Sequence, residues 1–184
     1  SYLKGFNKDK RQIELSGEAY FEVAQDVNRP FIVVAHGVTT TALGTMFNVN
    51  AYSKNEVIVS LSEGKVQIEV HNEHEGFQDQ YLVAGEQLAY NNDLKTLKRG
   101  LFNPKTNAWK DGVLFFENAS QKEVFEALEL WYGFSFLISE PFEDEWRINA
   151  SYDNQNLDWI LGSLGYIQGF DFEILDKKVV VKNG

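Results

Sequence analysis

The sequence has 184 residues, 43% hydrophobic and 24% charged, so it is long enough for one large or two small domains and its composition is that of an ordinary globular protein. Its formal net charge of −10 argues against nucleic acid as a partner, because neutralising phosphates requires an excess of Lys and Arg. No apolar run approaches the roughly 20 residues that cross a bilayer, and the absence of cysteine excludes disulfides, metal thiolates and thiol nucleophiles.

Short runs in which apolar and polar residues alternate fill the first half of the chain. Alternation of this kind has the period of a half-buried strand. Many short strands with turns roughly every eight to twelve residues are typical of a β-sandwich, roll or barrel. Residues 1–16 are predicted to be a loop followed by a short strand, and no helix is predicted before residue 118. The predicted strands are 12–15, 17–23, 31–35, 38–43, 57–61, 65–70, 81–83, 87–90 and 96–98.

The stretch 42–52 is predicted to be a central strand of this half. Phe47, Val49 and Ala51 alternate with Asn48 and Asn50, so one side packs and the other is polar. A glycine inside such a pattern marks a bulge or a place where another backbone comes close. We therefore expect a kink in this strand at position 44.

The pattern changes in the second half, after a predicted linker at residues 103–112. Ser120 and Glu123 fit a capping box, which predicts a helix that ends at Gly133. A second helix is predicted to begin near residues 154–156 and to stop at Gly165, with a closing hairpin after it. The order strand–helix–strand occurs twice before a final strand, which indicates a small α+β domain built by internal duplication.

No group of residues in the sequence has the spacing of a catalytic or metal site. The cluster His71, Glu73, His74 and Glu75 lacks the spacing of zinc-binding motifs and is read as a solvated hairpin tip. His36 has no companion. Glu18 and Glu22 share one strand face about 13 Å apart by strand rise, too far for a retaining glycosidase pair, so a structural role is expected. We predict no enzyme activity, no metal site and no cofactor.

The first half contains the motifs GEAYFEV at 17–23, RPF at 29–31, LGTMFNV at 43–49, LSEGKV at 61–66 and AGEQ at 84–87. These motifs resemble those of FecR-type anti-sigma regulators. The second half contains a strand at 113–116, the helix residues Glu123–Phe125, Leu128–Glu129 and Tyr132, and a helix at 157–164. It resembles the C-terminal domain of the Bacteroidetes branch of that family, which is similar to the signalling modules of secretins and TonB-dependent receptors.

This resemblance implies a mainly β plus α+β chain in two domains. Residues 1–108 are expected to form an antiparallel β-sandwich or roll that lacks its first strands, and residues 109–184 a βαβ-βαβ-β domain. It also implies that the chain is a periplasmic fragment of an inner-membrane regulator. The signalling domain of a TonB-dependent receptor would be its direct partner, and a cytoplasmic segment absent from this chain would bind an extracytoplasmic-function sigma factor.

Charge and aromatic residues bear on how such a partner binds. Residues 109–184 carry 6 basic and 14 acidic side chains, whereas residues 1–108 carry 11 and 13, so a basic partner surface is attracted to the second half. Trp146 and Tyr152, on an alternating strand beside an acidic loop, are candidates for partner contact. The alternative for both is burial in the core, which is common for large aromatic rings.

Two other functions remain open from the sequence. The first half could be a β-roll or jelly roll that senses a glycan or another small molecule, and an aromatic-lined concave pocket there would favour this reading. It could also be a jelly-roll metalloenzyme, which requires three or more His or carboxylate ligands around a metal.

Overall fold

The computed structural model describes residues 2–6, 11–70, 79–140, 142 and 145–183. The chain divides into two compact units, residues 1–107 and residues 108–184, and each has a hydrophobic core of its own. The sequence predicted a boundary between residues 108 and 109. Within the described ranges, no helix is both long and apolar enough to span a membrane.

Unit 1 (residues 1–107) is a sandwich of two β-sheets. One sheet has the strand order β1-β2-β4-β5-β8-β9 and the other the order β11-β10-β7-β6-β3. Buried residues from both sheets belong to one core, which confirms the predicted fold class. The strands are β1 (Tyr2–Phe6), β2 (Arg11–Leu15), β3 (Gly17–Glu22), β4 (Phe31–Ala35), β5 (Val38–Ala42), β6 (Met46–Ala51), β7 (Glu56–Glu63), β8 (Lys65–Val70), β9 (Gln80–Val83), β10 (Glu86–Asn91) and β11 (Thr96–Leu101).

The alternating sequence pattern decides which face of each strand is buried. In β8, for example, Val66 and Ile68 are buried and Gln67 between them is partly exposed. Phe21 of β3 joins the two sheets, since its ring lies 5.4 Å from that of Phe31 in β4 of the opposite sheet. Each large apolar side chain buried in this way contributes roughly 1.5–3 kcal/mol.

The N-terminal part of the sandwich differs from the prediction in two respects. Residues predicted to be a loop form β1, which pairs with β2. The sheet is also not wholly antiparallel, because β2 and β4 are parallel. The intervening strand β3 belongs to the other sheet, so the chain re-enters the first sheet in its original direction.

Gly44 lies between two strands of different sheets and not within one kinked strand, so that prediction is corrected. The strand before it, β5, belongs to the six-stranded sheet, and the next strand, β6, to the five-stranded sheet. A Cβ at position 44 would stand 2.8 Å from the Cα of Gln25. The glycine is required because another backbone passes close by, and this is one of the two reasons for which a glycine was expected in the strand pattern.

The predicted linker contains a 3-10 helix, Pro104–Asp111, which the sequence analysis did not anticipate. The side chain of Asn103 accepts a hydrogen bond from the N–H of Lys105 at 3.0 Å. Asn before a helix and Pro at its first position are start signals, yet the same residue types also mark loops. The local sequence is therefore compatible with both a linker and a helix, and the prediction of a linker without a helix was wrong.

Unit 2 (residues 108–184) has the predicted order of elements. They are β12 (Val113–Ala119), α1 (Gln121–Tyr132), β13 (Ser135–Ile138), β14 (Ile148–Asp153), α2 (Leu157–Gln168), β15 (Phe170–Leu175) and β16 (Lys178–Asn183). β12 and β14 pair with each other, and β16 lies between β13 and β15 in a three-stranded sheet. β13 is parallel to β16 and β15 is antiparallel to it. One core contains the buried faces of both helices and of these strands.

Both helices of unit 2 are capped, and one is longer than predicted. The predicted capping box of Ser120 and Glu123 starts α1, and Gly133 ends it in a left-handed conformation. Helix α2 continues beyond Gly165 to Gln168. A Cβ at position 165 would stand 2.6 Å from the carbonyl oxygen of Phe170, so this glycine allows helix and strand to approach closely and does not end the helix.

Candidate functional site

Two of the residues considered for chemistry make polar contacts within unit 1. Glu18 accepts a hydrogen bond from the side chain of Asn48 at 2.7 Å, and the Nε2 of His36 lies 3.2 Å from the carbonyl oxygen of Ala51. The cluster at positions 71–75 lies outside the described residues. In the remainder, no three His, Cys, Asp or Glu side chains are grouped so as to hold a metal ion.

Trp146 and Tyr152, the two candidates for partner contact, lie in the core of unit 2. They are only 3% and 6% exposed. The Trp146 ring stacks on that of Phe170 at 5.5 Å, and the Tyr152 ring meets that of Phe116 edge-on at 6.3 Å. This burial is the alternative that the sequence left open. It corrects the candidate site, because neither ring offers surface to a partner.

A shallow groove of about 590 Å³ lies on the outer face of the six-stranded sheet of unit 1. The residues that line it include Val27, Leu43, Lys65, Gln67 and Tyr81. Tyr81 is the one aromatic residue of the lining, and the others are polar or aliphatic. Lys65 and Tyr81 contact each other, with the Nζ atom 4.3 Å from the ring centre. The groove is not the aromatic-lined pocket that direct sensing of a glycan calls for.

The edges of the sheets differ in how they are protected against a further strand. An edge strand exposes unpaired N–H and C=O groups, and proteins usually place charged side chains there. Among the edge strands described, β9 and β13 contain no charged residue. The charged residues of the others are Lys4 in β1, Glu18 and Glu22 in β3, Lys98 and Arg99 in β11, Glu117 in β12, Asp153 in β14, and Asp171 and Glu173 in β15.

Strand β13 presents backbone groups on its open side at two residues. The N–H groups of Ser135 and Ser139 donate to carbonyl oxygens of the β16 side at 2.9 and 3.0 Å. In a parallel ladder every second residue bonds to the same neighbour, so the amide groups of Phe136 and Ile138 point away from β16. These are the groups that an added strand would pair with.

The side chains of β13 leave apolar surface at the same edge. Leu137 is 59% exposed and Ile138 is 39% exposed. Phe136 points to the helix side, where its ring stacks on that of Phe125 at 4.8 Å. An edge strand that is uncharged, partly apolar and open on one side is a template for strand addition.

One carboxylate touches this edge, and it comes from the preceding helix. Oε1 of Glu129, in the last turn of α1, accepts a hydrogen bond from the N–H of Phe136 at 2.8 Å. That N–H is one of the two outward-pointing donors of β13. None of the ion pairs among the described side chains includes Glu129.

The other uncharged edge strand, β9, has a similar contact with one difference. Oε2 of Glu86 accepts a hydrogen bond from the N–H of Val83 at 2.9 Å. The same oxygen pairs with the guanidinium of Arg99 at 2.6 Å. The N–H of Val83 and the Arg99 side chain hold the pKa of Glu86 below its usual range. At the β9 edge, the carboxylate that contacts the strand is therefore already neutralised by an ion pair with Arg99.

Sequence reasoning missed the β13 edge because strand order is not a local property. Residues 134–138 read as an apolar strand, and nothing in them says that the strand lies at an edge. Glu129 stands between Leu128 and Leu130, and its contact crosses the end of the helix to a residue seven positions ahead. The absence of any charge in β13 was the one signal in the sequence.

Comparison with protein-family models gives two matches, which lie in different units. The model described as FecR protein matches residues 1–67, and the model described as FecR, C-terminal matches residues 113–181. Among curated proteins, none matches the sequence significantly.

Two crystal structures from Parabacteroides distasonis ATCC 8503, each assigned as an anti-sigma factor, are similar in fold. The structure at 1.65 Å resolution is 27% identical with a TM-score of 0.79, and the alignment covers 98% of this chain and 84% of that one. The structure at 2.50 Å resolution is 28% identical with a TM-score of 0.77, and coverage is 98% and 83%. The two family models follow the order of the two units, and the chain belongs to the FecR family of anti-sigma regulators.

Proposed function

We propose that these 184 residues are the periplasmic part of a regulator that relays a signal from a TonB-dependent outer-membrane receptor to an extracytoplasmic-function sigma factor. FecR proteins are membrane-anchored regulators of a non-enzymatic class, and family membership supports the proposal. A relay of this kind needs two states with different affinity for a partner and no catalytic group. In this proposal, a cytoplasmic segment distinct from these residues holds the sigma factor.

The open edge of β13 is the proposed docking site for the receptor's signalling domain. The observation that carries this assignment is the combination of an uncharged edge strand with outward-pointing amides at Phe136 and Ile138 and exposed apolar side chains. An extended segment that pairs with such an edge gains main-chain hydrogen bonds and covers apolar surface at once. Leu137 and Ile138 are the side chains that it would cover.

Calorimetric titration of this chain with the isolated signalling domain of the receptor encoded beside it tests the proposal. We expect saturable 1:1 binding. Substitution of Ile138→Pro removes an outward N–H but no bond to β16, so it should weaken binding by roughly tenfold or more while the fold is kept. The matched control is Tyr166→Ala, which removes a 92% exposed ring from α2 and should leave binding unchanged.

The possible outcomes separate the alternatives. Binding that Tyr166→Ala weakens and Ile138→Pro does not would move the site to α2. If neither this chain nor a longer one with additional N-terminal residues binds the receptor domain, direct receptor recognition is wrong. Sensing of a small molecule in the groove of unit 1 would then be the leading alternative, to be tested by titrating Tyr81→Ala and wild-type protein with candidate ligands.

A further inference from the structure

The hydrogen bond between Glu129 and the edge of β13 sets a condition on any strand that docks there. The Glu129 carboxylate occupies the position in front of the Phe136 N–H that the carbonyl oxygen of an added strand would take. Two oxygens cannot both accept this bond in good geometry. An incoming strand must therefore displace the carboxylate before it can pair along the whole of β13.

Displacing Glu129 leaves a negative charge at the interface without its donor. A charged group that loses its hydrogen bond and some of its water is costly unless an opposite charge compensates it. No cation of the described side chains is paired with Glu129, whereas the equivalent carboxylate at the β9 edge, Glu86, has Arg99 at 2.6 Å. The β13 edge lacks the cation that the β9 edge contains.

Lys177 and Lys178 border Ser135 at the start of β13, and neither forms an ion pair with Glu129. Glu140 lies two residues after the end of the strand, and residues 109–184 have 14 acidic against 6 basic side chains. An approaching acidic strand is repelled by this charge distribution, and a basic one is attracted.

We infer that the β13 edge selects a partner strand that carries Lys or Arg next to the position facing Phe136. On docking, the Glu129 carboxylate moves from the Phe136 N–H to the partner's cation, and the freed N–H donates to a carbonyl oxygen of the partner strand. One hydrogen bond is exchanged for another and an ion pair is gained. A neutral or acidic strand meets an uncompensated carboxylate, so Glu129 acts as a specificity-determining residue for the edge. The inference rests on the proposed use of β13 as a docking edge.

Two designed peptides test this without the receptor. One is an acetylated eight-residue strand of alternating Thr and Val with a single central Lys, and the other has Glu in place of that Lys. Titration into ¹⁵N-labelled protein should shift the amide signals of Phe136 and Ile138. At low salt the Lys peptide should bind at least about tenfold more tightly than the Glu peptide, and added salt should reduce the difference because exposed charges are screened.

Substitution at Glu129 separates its charge from its hydrogen bond. Glu129→Gln keeps an oxygen that can accept from Phe136 but removes the charge, so the preference for the Lys peptide should fall to about twofold or less. Glu86→Gln, the same change at the β9 edge, is the matched control and should leave the preference intact. In Glu129→Ala the Phe136 amide should exchange its hydrogen roughly tenfold faster than in wild type, because it has lost its acceptor.

Equal binding of both peptides to wild type, a preference that survives Glu129→Gln, or no shift at Phe136 and Ile138 with either peptide would each overturn the inference. A Lys peptide that binds as expected together with a receptor domain that does not bind would leave the inference standing and reject the receptor as partner. If the receptor domain binds through Ile138 equally well in wild type and Glu129→Gln, the receptor is kept as the partner and the role of Glu129 in specificity is rejected.

Discussion

The two strand–helix–strand segments of unit 2 follow one local pattern, and they differ at a helical position that contacts the strand after each helix. Three landmarks recur in both copies at a spacing of 36 residues. They are a non-glycine residue with positive φ (Asn118 and Asn154), the helix N-cap (Ser120 and Asn156) and a left-handed glycine after the helix (Gly133 and Gly169).

The copies differ at positions 129 and 165, which also lie 36 residues apart. Glu129 extends a carboxylate to the edge strand that follows its helix, whereas Gly165 lets the helix lie against the carbonyl of Phe170. The strands differ accordingly: β13 has no charged residue and β15 has Asp171 and Glu173. The two segments have caps at equivalent positions, whereas the two outer edges of one sheet are protected in different ways.

The largest expected effect comes from removing the glycine of the second copy. Gly165→Ala places a Cβ 2.6 Å from a backbone oxygen, so helix or strand must shift, and we expect the free energy of unfolding to fall by roughly 2–4 kcal/mol. Gly162→Ala is the control in the same helix, where a Cβ meets no atom within 4 Å. It should stabilise the helix by about 0.5–1 kcal/mol.

Urea unfolding followed by tryptophan fluorescence measures both variants. All four tryptophans (Trp109, Trp131, Trp146 and Trp159) lie in unit 2, so the signal reports on this unit. Equal stability of the two variants would show that position 165 does not depend on close approach.

The N-caps should give the next largest effect, and they should differ between the copies. Ser120→Ala removes a hydroxyl that accepts from the Glu123 N–H and donates to the Glu123 carboxylate, and it should cost about 1–2 kcal/mol. Asn156→Ala loses one bond to Trp159 and should cost about 1 kcal/mol. The same urea experiment compares them. If Asn156→Ala lowers the free energy of unfolding more than Ser120→Ala does, the capping box does not stabilise α1 more than a single cap bond stabilises α2.

The two caps should also respond differently to acid. The N–H and hydroxyl of Ser120 lower the pKa of Glu123, so this carboxylate stabilises the folded state at pH values above its unfolded pKa. That contribution is lost as the pH falls through the lower folded pKa. The difference in urea midpoint between wild type and Glu123→Gln should therefore shrink from about pH 6 to about pH 3. The Asn156 cap has no titratable group, and a pH-dependent difference for Asn156→Ala would argue against this cause.

The smallest effect is expected at the charged edge of the second copy. Glu173 lies 3.6 Å from Lys182, and both side chains are more than half exposed. Glu173→Ala should change the free energy of unfolding by less than about 0.5 kcal/mol. Sedimentation velocity is the sharper measurement, because the loss of a charge from the β15 edge should favour self-association even though stability hardly changes. A variant that stays monomeric at high concentration would show that Asp171 protects this edge alone.

These differences also explain how far the sequence could predict the structure. The Ser120 box and the alternation in unit 1 are local signals, and both elements form as expected. A glycine such as Gly44 or Gly165 can either interrupt a strand or helix or allow another backbone to come close. Only the positions of Gln25 and Phe170 in the fold show that close approach is the reason here. Whether β13 is central or at an edge depends on where β16 inserts, which no short stretch of sequence encodes. The candidate site was missed for that reason, and large aromatic residues were taken in its place.

The position of β16 has a consequence for synthesis. The three-stranded sheet of unit 2 is held together by its last strand, since β13 and β15 pair with β16 and not with each other. During translation the first two strands emerge without a partner, and the sheet cannot close until residues 178–183 have left the ribosome. Until then, both outer strands are exposed to chaperones and to aggregation. A premature stop that removes these few residues should therefore abolish the whole unit, not merely shorten it.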